Sequence, residues 1–188
     1  TAVGTLKPTF FSPSSVFTRE IKTVFEKKPC IAILNVQGFR DFHPVLAAAN
    51  LNRHKLFSHC PVTCADIQLP GQKTAAYGSA DMRSVDVARI LDDATDLQAV
   101  AGAISAAAGK ADIIALPAFL GLNRYPEILA ELRRATDRLI YEIPTLPPSI
   151  LGMRLDNALK SRFASLGGVF IAGETVDTGV IENNRVVH

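Results

Sequence analysis

Apolar positions along this chain fall into short unbroken runs, separated by longer stretches in which they recur every three or four residues. Cys30-Ile31-Ala32-Ile33-Leu34 is unbroken, as a strand buried on both faces requires, and it follows directly on Lys27-Lys28-Pro29. Residues 35–41, with Gly38, read as a turn. Pro44 suits the first turn of a helix that runs on through residues 45–51. Residues 63–69 read as a second strand ended by Pro70-Gly71, and residues 71–83, which show no period, read as a mobile loop. Ser84 is placed to cap a helix reaching Asp92. Thr95 or Asp96 can cap the next, which carries Leu97, Val100, Ala101, Ile104 and Ala108 on one face and stops at Gly109.

The alternation continues. Residues 113–116 and 139–143 read as strands, with a helix between them that Pro126 opens and whose face carries Ile128, Leu129 and Leu132. A further helix over residues 153–166 places Leu155, Leu159, Arg162 and Phe163 near one face and ends at Gly167-Gly168. Residues 169–171 read as a fifth strand. Val180-Ile181 and Val186-Val187 flank Asn183-Asn184, a hairpin turn signal. The first 20 residues, interrupted by Pro8 and Pro13, read as an edge strand or hairpin. The expectation is an α/β fold: a mostly parallel sheet with helices on both faces and β-hairpins at the chain ends. Residues 1–188 read as one domain, with 1–28 and 174–188 as the edge hairpins. The chain opens on Thr1 rather than Met, and its ends read as edges of something larger.

Composition narrows this picture. Apolar residues make up 48% of the chain, which excludes a disordered segment. Twenty basic and 18 acidic residues leave a net charge of +2, so there is no electrostatic case for nucleic acid or an anionic membrane surface. Arg133-Arg134 reads as a solvated helix face. The longest apolar stretch, residues 111–122, is interrupted by Asp112 and Pro117 and is too short to span a bilayer. Three cysteines, Cys30, Cys60 and Cys64, do not make a disulfide framework and fit a reducing compartment.

Ligands of open α/β sheets lie beyond the carboxyl ends of the strands. That places interest on residues 35–41, 117–123 and 144–152, with Asn35, Gly38 and Gly121 in the first two loops. The third contains Pro144-Thr-Leu-Pro-Pro-Ser-Ile-Leu-Gly-Met-Arg-Leu155. Pro147 and Pro148 stiffen it, Ser149 can bond a following turn, and Gly152 permits close approach. Arg154 lies in the first turn of the next helix, where it either holds a phosphate or carboxylate or bonds nearby loop carbonyls and orders the turn. His59-Cys60-x3-Cys64 has no second ligand pair at a zinc-like spacing, so no metal site is expected. Asp92-Asp93 reads as a solvated helix end. Glycine-rich phosphate loops and a nucleophile elbow are absent from the sequence, and no catalytic centre is visible.

Several stretches, in order and at similar spacing, carry a family resemblance: Gly-Thr-Leu at 4–6, Gly-Phe-Arg-Asp-Phe at 38–42, Leu-Ala-Ala-Ala-Asn-Leu at 46–51, Ala-Arg-Ile-Leu-Asp at 88–92, Leu-Pro-Ala-Phe-Leu-Gly-Leu at 116–122, and the proline-rich stretch at 144–155. The set resembles the B subunit of the anaerobic glycerol-3-phosphate dehydrogenases. The resemblance implies a flavoprotein component of an enzyme that oxidises glycerol 3-phosphate to dihydroxyacetone phosphate, with electrons passed to quinone. It implies FMN in the parent subunit, with FAD the alternative, and no cofactor in this chain alone, since the family's flanking flavin-binding segments are missing. It also implies two partners, the FAD-bearing A subunit of the complex with its iron–sulfur C subunit, together with a cytoplasmic position peripheral to the inner face of the membrane. On this reading the chain is the central cap domain, its edge hairpins lead to the flavin domain, and Ser149, Gly152, Arg154, Asn35, Gly38 and Gly121 face substrate or flavin. The competing readings are a non-catalytic module that docks the other subunits and a free-standing small-molecule-binding domain.

Overall fold

How much of an apolar run is buried depends on whether its strand has neighbours on both sides, and the strands here follow that rule. The computed structural model describes residues 1–17, 21–70, 82–173 and 178–186. In it, β1 (Ile31–Val36) and β3 (Ile113–Pro117) are buried at every position. They are the middle strands of a parallel sheet in the order β2-β1-β3-β4. The edge strands β2 (Val62–Ile67) and β4 (Leu139–Ile143) are only partly buried. In register, Ile31 pairs with Val62 on one side and Ile113 on the other, while Ala115 pairs with Tyr141.

Helices occupy the crossovers: α1 (Ile21–Phe25) precedes β1, α2 (Pro44–Arg53) joins β1 to β2, α3 (Ser84–Asp92) and α4 (Leu97–Ala108) join β2 to β3, α5 (Tyr125–Thr136) joins β3 to β4, and α6 (Ile150–Ser165) follows. The path from β1 to β2 moves one way across the sheet, and those from β2 to β3 and from β3 to β4 move the other. Right-handed crossovers therefore put α2 on one face and α4 and α5, which pack against each other, on the opposite face. Asp96 caps α4 by accepting from Ala99 N at 2.9 Å, and Gly109 (φ 56°) ends it.

The chain divides into two compact units, Thr1–Arg154 and Leu155–His188. The first holds the sheet and the core. The second holds the rest of α6, a turn at Gly167 (φ 82°), and the antiparallel hairpin of β5 (Ile181–Glu182) and β6 (Arg185–Val186). Asn183 (φ 48°) and Asn184 (φ 62°) supply the two positive φ angles that a two-residue type I′ turn demands.

Five expectations need correction. Asn35 belongs to β1, not to the loop after it, because β1 extends to pair Asn35 with Asp66 and Val36 with Ile67. No hairpin forms among residues 1–17, where Pro8 and Pro13 remove ladder donors; Val16 instead makes a single parallel bridge to Glu142. Ser84 is the first residue of α3 rather than its cap, and its N–H and hydroxyl both donate to Asp41 Oδ2 at 3.4 Å. The last long helix begins at Ile150, three residues earlier than its pattern suggested, with Ser149 ahead of it. Residues 169–171 form no strand, since among the described residues no neighbouring strand offers them a ladder. The loop expected over residues 71–83 falls outside the described residues except for its last two, where Met82 bridges Phe39.

Candidate functional site

The strand order reverses direction between β1 and β3, and the carboxyl ends of these strands mark the switch point where open α/β sheets bind ligands. The local sequence closes much of that position. Gly38 (φ 83°) turns the chain after β1, its carbonyl accepts from Met82 N at 3.0 Å, and Phe39 meets Phe119 edge-on at 5.8 Å between ring centroids. Asn35 sits beneath this turn, buried, with Nδ2 donating to Phe39 O at 3.5 Å and Oδ1 left without a partner. A buried acceptor left unpaired costs about 1–3 kcal/mol.

Two strands over, the ends of β3, β4, α3, α5 and α6 meet around Arg154. This arginine is buried, and its Nε and Nη2 donate to Gly121 O at 2.8 and 2.5 Å. Nη1 and Nη2 donate to the two carboxylate oxygens of Glu142 at 2.5 and 3.1 Å, and its Cζ lies 4.2 Å from the Tyr125 ring centroid. Glu142 is fully buried and also accepts from Leu120 N at 2.8 Å. A charged pair out of water persists only when its remaining hydrogen-bonding positions are filled, and here they are filled by the loop after β3.

That loop is held from its other side by Asp92, at the end of α3. Its carboxylate accepts from Leu122 N at 2.8 Å, Asn123 N at 3.1 Å and Arg124 N at 3.0 Å, while Arg124 Nη1 donates to Asp92 O at 2.8 Å. Asp92 thus supplies the negative charge at the N-terminus of α5 that a bound anion would otherwise bring. Gly121 (φ 87°) lies where no side chain fits: a Cβ there would be 2.5 Å from Asp92 Oδ1 and 2.7 Å from Ile128 Cδ1. Ser149 caps α6, its Oγ accepting from Gly152 N at 3.1 Å.

The six residues marked in the sequence fall into three groups: Asn35 with Gly38, Gly121 with Arg154, and Ser149 with Gly152. No hydrogen bond joins one group to another among the described residues. Arg154 takes the second of its two readings, bonding a loop carbonyl. Sequence reasoning missed Glu142, Tyr125 and Asp92. An acidic residue inside the apolar run Leu-Ile-Tyr-Glu-Ile was the available signal for Glu142, because a carboxylate in a buried strand demands a partner. Asp92 is half-buried and bonded, not a solvated helix end. Arg133 likewise leaves the solvated face, donating from Nε and Nη2 to Ile140 O at 2.9 and 2.6 Å, whereas Arg134 pairs with Glu131 in solvent. Among the described residues, no group of three His, Cys, Asp or Glu side chains is arranged to hold a metal, and no helix is long and apolar enough to cross a membrane.

Comparison with known proteins places the chain. It is 34% identical, over 95% of its length and 40% of the relative's, to the B subunit of the anaerobic glycerol-3-phosphate dehydrogenase of Vibrio vulnificus (strain YJ016). It is 36% identical, over 99% of its length and 43% of theirs, to the subunits of the same name from Pasteurella multocida (strain Pm70) and Haemophilus influenzae (strain PittGG). The chain therefore spans about two-fifths of the length of these curated relatives. No solved structure matches it.

The family model that matches is that of an FAD binding domain, which overturns the expectation of FMN. The two flavins differ in the adenylate half, and these 188 residues carry no motif for it, so the sequence had nothing with which to separate them. The described residues do not form a pyrophosphate cradle for FAD. The turn after β1 carries one glycine whose carbonyl is occupied, α2 begins with Pro44, which has no N–H, and Asp92 takes the free N–H groups ahead of α5. No chemical step is assigned to FAD on these residues. With the match extending over residues 1–186, the chain belongs to the FAD binding domain family.

Proposed function

We propose that the chain is the cap of a flavoprotein subunit in an anaerobic glycerol-3-phosphate dehydrogenase. In the assembled enzyme the secondary alcohol of sn-glycerol 3-phosphate is oxidised to the ketone of dihydroxyacetone phosphate, with electrons passing on to quinone. The observation that carries this reading is the 34–36% identity sustained over 95–99% of the chain to relatives named for that enzyme. The burial pattern supports the cap role. Residues 155–186 expose Leu155, Leu159, Phe163, Leu166, Phe170 and Ile181, as expected of a surface made to be covered by more protein.

The carboxyl edge of the sheet, with Asn35, Gly38, Gly121, Ser149, Gly152 and Arg154, faces the FAD or the phosphate-bearing substrate on this reading. Asn35 Oδ1, buried without a partner, supports it. Arg154 acts here as a positioning residue, because its donors are already engaged by Gly121 and Glu142. The partners are a catalytic subunit that bears FAD, together with an iron–sulfur subunit, and they hold the chain at the inner face of the cytoplasmic membrane.

The test is to tag the protein in its native host, isolate it with whatever accompanies it, and measure the flavin spectrum and glycerol-3-phosphate-dependent reduction of an artificial acceptor. A flavin band with activity and companion subunits is expected. A preparation with neither flavin nor activity refutes the reading. Companions without a flavin of its own would favour the docking-module reading. In the active complex, Arg154→Lys should weaken substrate or FAD binding; unchanged constants for both would make the edge purely structural.

A further inference from the structure

A cavity of about 590 Å³ lies on the α2 side of the sheet and reaches the carboxyl end of β4 at residues 142–146. Its floor is the sheet itself. Ile31 and Ile113 are register partners, and Tyr141 stands two positions past the partner of Ile113, so all three project from one face. On that face α2 covers β1 and β2, but among the described residues no helix packs over β3 and β4. The first 17 residues cross there instead as a strap that partly covers the cavity.

The strap is fixed at both ends. Near its start, Asn50 Nδ2 donates to Val3 O at 2.7 Å, and Gly4 (φ 78°) lies so close to α2 that a Cβ would collide with the Ala47 carbonyl oxygen. Near its end, Glu142 N donates to Ser15 O at 2.7 Å and Val16 bridges β4. Between these points Leu6, Pro8, Phe11 and Pro13 form the outer wall. The strap is held at two points, and its prolines limit its excursions. A small molecule can enter at the rim.

The wall also defines what the molecule is. Leu51, Phe57 and Phe17 complete an apolar surface, with Phe17 edge-on to Tyr141 at 5.1 Å. Burial pushes the Tyr141 phenol well above the usual tyrosine range, which marks this as a place of low polarity. Among the described residues of the wall, Lys7 is the one basic side chain, and the carboxylate of Glu142 is committed to Arg154 and Leu120. A phosphate dianion would find no adequate partners. Thr145, in the wall, and Ser15, between wall residues Pro13 and Val16, each have a buried hydroxyl with no hydrogen-bond partner.

We propose that this cavity is a binding site for a neutral, flat, largely apolar ring compound carrying a hydrogen-bonding oxygen that meets the Thr145 hydroxyl. Its volume falls within the roughly 300–1,000 Å³ typical of small-molecule sites. Its apolar wall does not suit a phosphate ester, and the proposal stands whether or not the dehydrogenase reading holds.

The test uses the full chain with 2-naphthol as probe and naphthalene-2-sulfonate, the same ring with a buried-charge penalty, as its counterpart. Calorimetry should give saturable one-to-one binding of 2-naphthol and at least about tenfold weaker binding of the sulfonate. Thr145→Val should weaken 2-naphthol by roughly threefold to tenfold, the loss of one hydrogen bond. Leu6→Trp, which fills the cavity from the strap side, should abolish it. Independently of any variant, amide exchange in residues 5–17 and 144–146 should slow when 2-naphthol binds. Absence of saturable binding overturns the proposal, as does unchanged exchange in the strap. So does binding that survives Leu6→Trp in a folded variant, or binding lost on Leu159→Lys, which would move it to the exposed apolar face of residues 155–186.

Discussion

Helices α5 and α6 carry similar apolar spacing and meet opposite fates. In α5, Ile128, Leu129 and Leu132 are buried against the sheet and α4. In α6, Leu155, Leu159 and Phe163 remain 60%, 61% and 48% exposed. The contrast extends to the units that contain them. Among the described residues every buried apolar side chain lies at or before Ile150, while more than half of the exposed large apolar side chains lie between Leu155 and Val186. Periodicity therefore identifies a helix and its stripe but says nothing about what covers the stripe.

The largest effects should come from breaking the first unit. Leu132→Ala should destabilise it by about 3–5 kcal/mol in urea unfolding, while Leu159→Ala should stay within about 0.5 kcal/mol. Equal losses would mean that the second unit has a core after all. Measured in a longer parent subunit, Leu159→Ala should become the more costly change if its stripe is covered there. Arg154→Met should destabilise by about 3–5 kcal/mol, because it strands the buried Glu142 carboxylate, and adding Glu142→Leu should recover most of that loss. A double-mutant cycle that shows no coupling would remove the pair from the account of the carboxyl edge.

Smaller changes sharpen the comparison. Gly121→Ala combines a positive φ with a collision against Asp92 and should cost about 1–3 kcal/mol, visible as a lowered melting temperature. Tyr141 adds a pH dependence. Its folded pKa is raised, so its contribution is present in full below the unfolded value of about 10 and falls away above it, at up to about 1.4 kcal/mol per pH unit. Tyr141→Phe should flatten that alkaline decline; an identical slope would assign it to other groups. Asn184→Gly, in the type I′ turn, should change stability by only a few tenths of a kcal/mol, readable as hairpin amide exchange.

The sequence alone determined the alternation of strands and helices, the boundaries of β4, the Gly109 stop of α4 and, to within Thr95 or Asp96, its cap, and the Asn183-Asn184 turn. These are local matters: period, φ preference and capping chemistry act over a few residues, so a linear reading captures them. It also placed Gly121, Ser149 and Arg154 near the edge where they lie, and it set the resemblance that the family comparison bears out, while its expectation of FMN is overturned by the match to an FAD binding domain.

Tertiary structure decided the rest. Only the fold could bring Glu142 to Arg154 and Asp92 to residues 122–124, because those partners lie 12 and about 30 positions apart and their pairing depends on strand order. Only the fold could turn the expected N-terminal hairpin into a strap over a cavity, since the face left bare by the crossovers determines where residues 1–17 can settle. The same holds for residues 169–171, which have the composition of a strand but no strand partner among the described residues. Propensity belongs to a segment, whereas burial and hydrogen-bond satisfaction belong to pairs of segments, and a linear chain does not state which pairs will meet.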